Sequence, residues 1–401
     1  MGKIKENALA TLYLDNVRGF SKTAIPLRPV NFLIGENSTG KTSVLALIHL
    51  LCTPDFWLSQ KFNLQDYEFG GFRDILSATA QDKSHFTIGF HQETKDDSTK
   101  ADTARSYVLS YEEREAQPVL SSLAWTDGRR LLVVRAFKGQ YRFRVAETPA
   151  ERDQKDAPSL FSLLSQECER KAADFRDFPK GVPSKAGFAP IFFMLGALAA
   201  EGKPEEHAMM FPVPILTPDV VWFAPIRTRP KRTYDGYGVP FDPEGQHTPY
   251  LLRKKLAGEK PNAFRIAIEA FGKASGLYHK VVINRLGDDA AAPFELLVEL
   301  AAKCPLRVNS VGYGVSQALP LAVEMLARKK RSWFAIQQPE VHLHPKAQAA
   351  LGDLIFHLAE NDSKRFLIET HSDFTIDRFR MNFTKHAKHK TTAQVLFFER
   401  A

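Results

Sequence analysis

The sequence predicts an α/β fold: a mixed sheet flanked by helices, assembled from both ends of the chain, with an antiparallel β lobe and a helical insertion between them. Three observations carry this. A glycine-rich loop between an apolar run and a helix stands near the start, five period-two segments fill the middle, and strands alternate with helices over the last third. The implied division is 1–84 and 220–401 for the two parts of the main unit, 85–146 for the β lobe and 147–219 for the insertion.

The organising stretch is Gly35-Glu36-Asn37-Ser38-Thr39-Gly40-Lys41-Thr42, which fits G-x4-G-K-[ST]. Val30 to Ile34 before it reads as a buried strand, and Val44, Leu45, Leu47, Ile48 and Leu51 after it share one helical face. Gly35 and Gly40 let the backbone curl so that successive N–H groups converge on a phosphate at the helix N-terminus. Lys41 adds a charge toward the β- and γ-phosphates, and the Thr42 hydroxyl is placed for Mg²⁺. The bland alternative is a glycine turn before an ordinary helix; motif and flanks together favour the phosphate loop.

Before the loop, Thr11 to Leu14 and Ile25 to Leu27 read as strands; beyond its helix, Tyr67 to Ile75 reads as a glycine-centred surface turn. His85 to His91, Ser106 to Tyr111, Leu120 to Trp125, Leu131 to Ala136 and Tyr141 to Val145 read as strands of the lobe, with tight turns at Asp127-Gly128 and Lys138-Gly139 and a polar loop at Thr94 to Thr103. Leu160, Leu163 and Leu164 with the later Phe175 suggest an amphipathic helix, and Pro179, Pro183, Pro190 and Pro204 break up the stretch after it. Ile191 to Leu195 reads as core or a subunit contact. Val220 to Ala224 is a buried strand leading into Arg227, Arg229, Lys231 and Arg232, close to Tyr234 and Tyr237. Such a cluster suits nucleic-acid phosphates, a nucleotide, or simply a solvated loop. Phe294 to Leu300, Trp333 to Ile336, Phe366 to Ile368 and Gln394 to Phe398 read as strands, and Gln317 to Arg328, Lys346 to Leu358 and Phe374 to Phe383 as helices.

Composition narrows the classes. Apolar content of 44% and charged content of 25% are those of a soluble globular protein. Cys52, Cys168 and Cys304 stand far apart, which argues against a disulfide framework or a zinc knuckle. Met1 to Glu6 lacks the apolar segment of a signal peptide and has Glu6 where myristoylation needs Ser or Thr. Ala186 to Ala200 is shorter than the roughly 18 to 20 residues that cross a bilayer. A cytoplasmic protein without a membrane partner is the expectation. The net charge of +8 permits an anionic partner but cannot choose between a nucleotide and nucleic acid.

Three further stretches match what such a phosphate site requires. Asn309 to Gln317 is a Ser/Gly-rich turn opening a helix; Trp333 to Glu340 is an apolar strand ending where a Walker B acid would sit; Glu369-Thr370-His371-Ser372 ends the next strand with a histidine. Together with Lys41 these resemble the ATP-binding cassette (ABC) ATPases of the SMC, RecF and overcoming-lysogenisation-defect (OLD) type. Arg18 and Phe20 resemble the N-V-R-G-F-like opening of that class, Gln338 to Pro345 its E-P-E-x-H-L-H-P box, and Val311 to Gln317 the V-G-x-G-x-S-Q signature of stand-alone bacterial members. The resemblance covers about residues 8 to 75 and 220 to 400.

The resemblance implies an ABC-ATPase head that uses ATP and Mg²⁺. Two heads would sandwich two nucleotides, each held by Arg18 and by Gly35, Glu36, Asn37, Ser38, Thr39, Gly40, Lys41, Thr42 and Ser43 of one copy. Ser310, Gly312 and Gly314 of the other copy would cap it, and His371 would sense the γ-phosphate. Mg²⁺ would be held by Thr42 and, through water, by Gln337, with Gln338 and Glu340 at the catalytic positions. One departure matters: Gln337 and Gln338 stand where members of the class carry acids. Glutamine hydrogen-bonds but is no general base near neutral pH. Either Glu340 substitutes, or hydrolysis is slow and the protein works as an ATP-bound switch. The pair His342 and His344 is explained by the box as loop residues, without a metal of its own.

Three functions are expected in turn. The first is an ATPase or ATP switch that dimerises on nucleotide, serving bacterial anti-phage defence with a nuclease-like effector on another chain. The second is a DNA-maintenance clamp closing over duplex DNA through Arg227, Arg229, Lys231 and Arg232. The third, a transporter subunit, fits least, because roughly 270 residues separate loop and signature, more than a compact cassette domain contains.

Overall fold

The computed structural model describes residues 10–64, 66–95, 102–128, 130–148, 157–178, 220–225, 227–258, 262–289, 291–300, 304–385 and 389–400. Met1 to Glu6, Ala186 to Ala200 and most of the Thr94 to Thr103 loop lie outside them. From the N-terminus come β1 (Ala10–Asp15), β2 (Thr23–Leu27), β3 (Val30–Gly35), α1 (Lys41–Cys52), α2 (Pro54–Ser59) and α3 (Phe72–Ile75). The middle supplies β4 (His85–Lys95), β5 (Asp102–Arg114), β6 (Gln117–Thr126), β7 (Arg130–Phe137), β8 (Gln140–Glu147), α4 (Ala157–Cys168) and β9 (Arg176–Asp177). Next are β10 (Val220–Phe223), α5 (Thr248–Lys255), α6 (Ala263–Ser275), β11 (Lys280–Arg285), β12 (Phe294–Glu299), β13 (Pro305–Arg307) and α7 (Tyr313–Ala327). The last part contributes β14 (Trp333–Gln337), α8 (Pro345–Asp362), β15 (Arg365–Glu369), α9 (Asp373–Lys385) and β16 (Ala393–Phe398).

The strands form two large sheets. An antiparallel sheet of eight runs β2-β1-β4-β5-β6-β7-β8-β9, and a parallel sheet of five runs β10-β14-β15-β3-β16. A small antiparallel sheet, β11-β12-β13, stands beside them, so Phe294–Glu299 does not join the nucleotide-loop sheet. The first two strands extend the β lobe: Leu12 pairs with Phe90 across β1 and β4.

Burial explains the layering. Period-two alternation divides the parallel sheet, with Leu33, Ala335 and Leu367 on one face and Phe32, Phe334, Ile336 and Ile368 on the other. The first face joins one core with α1 and the inner side of the β lobe; the second packs on α6, α7, α8 and α9. Helix α1 is therefore wedged between two sheets. Its Val44, Leu45, Leu47, Ile48 and Leu51 are almost fully buried, each contributing about 1.5–3 kcal/mol of transfer free energy. Helix α4 covers the lobe's outer side, where Leu160, Phe161 and Leu164 meet Tyr13, Val108 and Val133, with Phe175 in the same cluster. Tyr67 to Ile75 is more than a surface turn: Gly70 has φ +87°, but Phe69, Phe72 and Ile75 are buried in the α1 core.

Candidate nucleotide site

The loop between β3 and α1 crosses the C-terminal end of the parallel sheet, and two close approaches dictate its glycines. Gly35 has φ +133°, and a Cβ there would lie 2.1 Å from the Phe398 carbonyl oxygen of β16. Gly40 has φ +98°, and its Cβ would meet the Phe20 ring at 2.7 Å. Phe20 in turn packs edge-on against Phe398 at 6.2 Å. The loop is thus held between the last strand and an aromatic side chain from the turn after β1.

Its electrostatics suit an anion. Gly40 caps α1 without a side-chain hydrogen bond, and the first turn holds no acidic residue, so the helix N-terminus keeps its unpaired N–H groups and partial positive charge. Lys41 is buried and donates from Nζ to the carbonyls of Gly35 (2.9 Å) and Glu36, which curls the cation over the loop. Arg18, at φ +48°, donates from Nη1 to Ser43 Oγ (2.8 Å) and to the Tyr67 hydroxyl (2.7 Å), and lies over the Phe69 ring at 5.3 Å. A second cation is thereby fixed beside the loop. Thr39 Oγ1 closes the loop on the Glu36 carbonyl at 2.8 Å, and Ser38 takes the left-handed φ of +63°.

The Thr42 hydroxyl donates to Glu369 Oε2 at 2.8 Å, a contact that no local sequence pattern announces. Glu369 ends β15 and is buried, paired in register with Gln337 on β14 and Leu33 on β3. The alternation that buries Ala335 and Leu367 toward α1 directs Gln337 and Glu369 to that same side. Gln338 comes next at φ +40°, its backbone N–H donating to the Glu369 carbonyl at 2.8 Å.

Glu340 turns inward as an anchor. Its Oε2 accepts from Thr370 Oγ1 (2.8 Å) and its Oε1 from the His371 backbone N–H (2.6 Å), so both oxygens are committed to the segment carrying the exposed His371 ring. Arg227, placed by sequence among the nucleic-acid candidates, is buried just beyond the end of β10. It cannot belong to an exposed basic face. Its Nη1 donates to the Pro225 carbonyl at 2.8 Å, while Nε and Nη2 are buried without a hydrogen-bond partner. Burial pulls its guanidinium down to about 10, and the negative charge of Glu340 works the other way. Arg229, Lys231 and Arg232 are exposed, as is Tyr237, whereas Tyr234 is buried and its hydroxyl accepts from the Lys231 N–H at 3.0 Å.

The signature stretch forms an exposed turn at the start of α7: Ser310 and Gly312 are exposed, and Gly312 caps the helix without a side-chain bond. This second uncapped N-terminus packs on the histidine box of its own chain, with Tyr313 edge-on to His342 at 5.0 Å. His344 caps α8, its Nδ1 accepting from the Lys346 N–H at 3.3 Å. Both histidines thus have structural work. Among the described residues no three His, Cys, Asp or Glu side chains gather as a metal site, and no helix is long and apolar enough to cross a membrane.

The donor set fits Mg²⁺-ATP. Magnesium is bound by one or two carboxylate or hydroxyl ligands together with phosphate oxygens and waters, and Thr42 with Glu369 offers that combination below two cations and an uncapped helix. When bound, the nucleotide would bring a triphosphate whose negative charge Lys41, Arg18 and the loop N–H groups can balance.

Comparison with known proteins agrees. The family model of the AAA ATPase domain matches residues 8–116 and 259–376, more than half of the chain. No curated protein matches it. Among solved structures the chain is similar to an Smc head bound to the C-winged helix domain of ScpA, with 11% identity, TM-score 0.44 and coverage of 92% of this chain and 90% of that one. It is also similar to the SMC head domain from Thermotoga maritima (11% identity, TM-score 0.35, 92% and 90% covered). A third is the recombination mediator protein RecF of the RecFOR pathway, at 11% identity, TM-score 0.32, and 91% and 92% covered. The family assignment rests on the sequence model and on the loop geometry above, and by both the chain belongs to the family of AAA ATPase domains.

Proposed function

We propose that this chain is an ATP-dependent switch in which nucleotide bound by the loop of one copy is capped by the α7 turn of a second. The observation that carries this is a complete phosphate cradle beside an incomplete hydrolytic one. The loop, Lys41, Arg18 and Thr42 supply what binding needs, while Gln337 and Gln338 stand at the two acid positions and Glu340 is tied to Thr370 and His371. With no free carboxylate to polarise a water at position 338, the ATP-bound state persists. Two uncapped helix N-termini, one at the loop and one at the exposed signature turn, favour a nucleotide shared between copies.

In a cell this switch would report to another protein, and the resemblance to OLD-type ATPases favours an anti-phage system with a nuclease-like effector on a separate chain. The exposed Arg229, Lys231 and Arg232 favour a second reading, an ATP-closed clamp on duplex DNA. The test is ATP turnover for this chain, for Lys41→Ala and for Gln338→Glu. The switch reading expects slow turnover, loss of ATP binding in the first variant, and turnover accelerated at least about tenfold in the second. Fast turnover by the unaltered chain would refute it.

A further inference from the structure

The acid that such a site needs for its cation is absent from β14 but present one strand away. Glu369 and Gln337 are paired partners on neighbouring parallel strands, about 4.8 Å apart, with side chains on the same face of the sheet. Only Glu369 carries a charge, and its Oε2 lies 2.8 Å from the Thr42 hydroxyl. Glu369 is buried, and none of the described salt bridges includes its carboxylate. Lys41 and Arg18 are committed to Gly35, Glu36, Ser43 and Tyr67. A buried carboxylate without a cationic partner is costly unless a cation neutralises it. Gln337, with an amide, can do no more than hydrogen-bond a metal-bound water.

We infer that Glu369 supplies the carboxylate that holds the divalent cation of the bound nucleotide, in the place the resemblance assigned to Gln337. This rests on the ATP reading above. The cation is a hard, oxygen-preferring one of the magnesium type, held by Thr42, Glu369, phosphate oxygens and water. The change leaves the metal-holding function intact while the neighbouring acid positions lose theirs. Binding and hydrolysis are thereby separated in one sheet edge.

The experiment uses Mn²⁺ as the probe, titrated by electron paramagnetic resonance into the full chain loaded with ATP. Calorimetry of ATP binding in EDTA serves as the metal-free arm. Glu369→Gln keeps an oxygen for the Thr42 hydroxyl and removes only the charge. It should weaken Mn²⁺ binding by roughly 10- to 100-fold. ATP binding in EDTA should be unchanged or tighter, because a negative charge near the triphosphate is gone. Adding Gln337→Glu to that variant returns a carboxylate to the same face one strand over and should recover most of the Mn²⁺ affinity; a folding defect would leave it unrecovered and lower the melting temperature. Mn²⁺ affinity unmoved by Glu369→Gln, or lost and not recovered in a double variant that melts normally, overturns the assignment. A chain that binds no ATP in either arm overturns the nucleotide reading instead.

Discussion

Replacing Glu340 by glutamine separates two roles for this residue, base or anchor. Its two oxygens accept from Thr370 Oγ1 at 2.8 Å and from the His371 N–H at 2.6 Å. Hydrogen bonds to a charged group contribute about 1.5–3 kcal/mol each, and the new amide can keep only one with its oxygen. The buried Arg227 cation, with Nε and Nη2 unpartnered, also loses the negative charge that favours it. Removing one member of a fully buried pair costs about 3–5 kcal/mol; Glu340 is partly exposed and acts on Arg227 through its charge, with no ion pair between them among the described ones, so only a fraction applies. The sum is a loss of about 2–4 kcal/mol. Urea unfolding should register it, and amide exchange at His371 should accelerate. On the switch reading, turnover should change by less than about tenfold. A variant as stable as the parent whose turnover falls more than about a hundredfold would refute the anchor and make Glu340 the base.

Other outcomes rest on the same geometry. Gly35→Ala puts a Cβ 2.1 Å from the Phe398 carbonyl at a φ of +133°, so β16 must move away; a loss of about 2–4 kcal/mol in urea unfolding is expected, with weaker ATP binding. Burial beside Trp222 holds the His49 imidazole down at about 4, the nearby Val220 backbone opposing it in part. The unfolded chain then takes up a proton that the folded chain refuses. Stability falls as pH drops from about 6.5 to about 4, by up to about 3 kcal/mol, and His49→Phe should flatten that part of the profile. Neutralising Arg229, Lys231 and Arg232 together should lower the salt slope of duplex-DNA binding by about 3 if the clamp reading holds, and leave ATP binding unchanged.

How much of this was legible in the sequence depended on range. The phosphate loop was, because motif, strand and helix are contiguous, and the period-two segments gave the lobe strands within a few residues. The turn between β5 and β6 left no glycine to find: Glu115 and Ala116 take φ of +50° and +62° themselves. Helix α6 was missed although its signals were present, Asn262 capping the Arg265 N–H and Gly276 closing at φ +73°. Arg227 resembled its exposed neighbours in sequence, and its burial comes from tertiary packing that no local pattern shows. Glu369 was hidden by distance: 327 residues separate it from Thr42.

If ATP joins two copies through the α7 turn, mass in solution reports it. Gly312 is exposed, and a Cβ there meets nothing within 4 Å, so Gly312→Asp should fold normally while placing a negative charge against a partner's triphosphate. Light scattering with and without Mg²⁺-ATP, on the parent and on this variant, decides the matter. The parent should double in mass with ATP, whereas the variant should still bind ATP and stay single. A parent that binds ATP without changing mass, or a variant that doubles as readily, would contradict the shared-nucleotide arrangement.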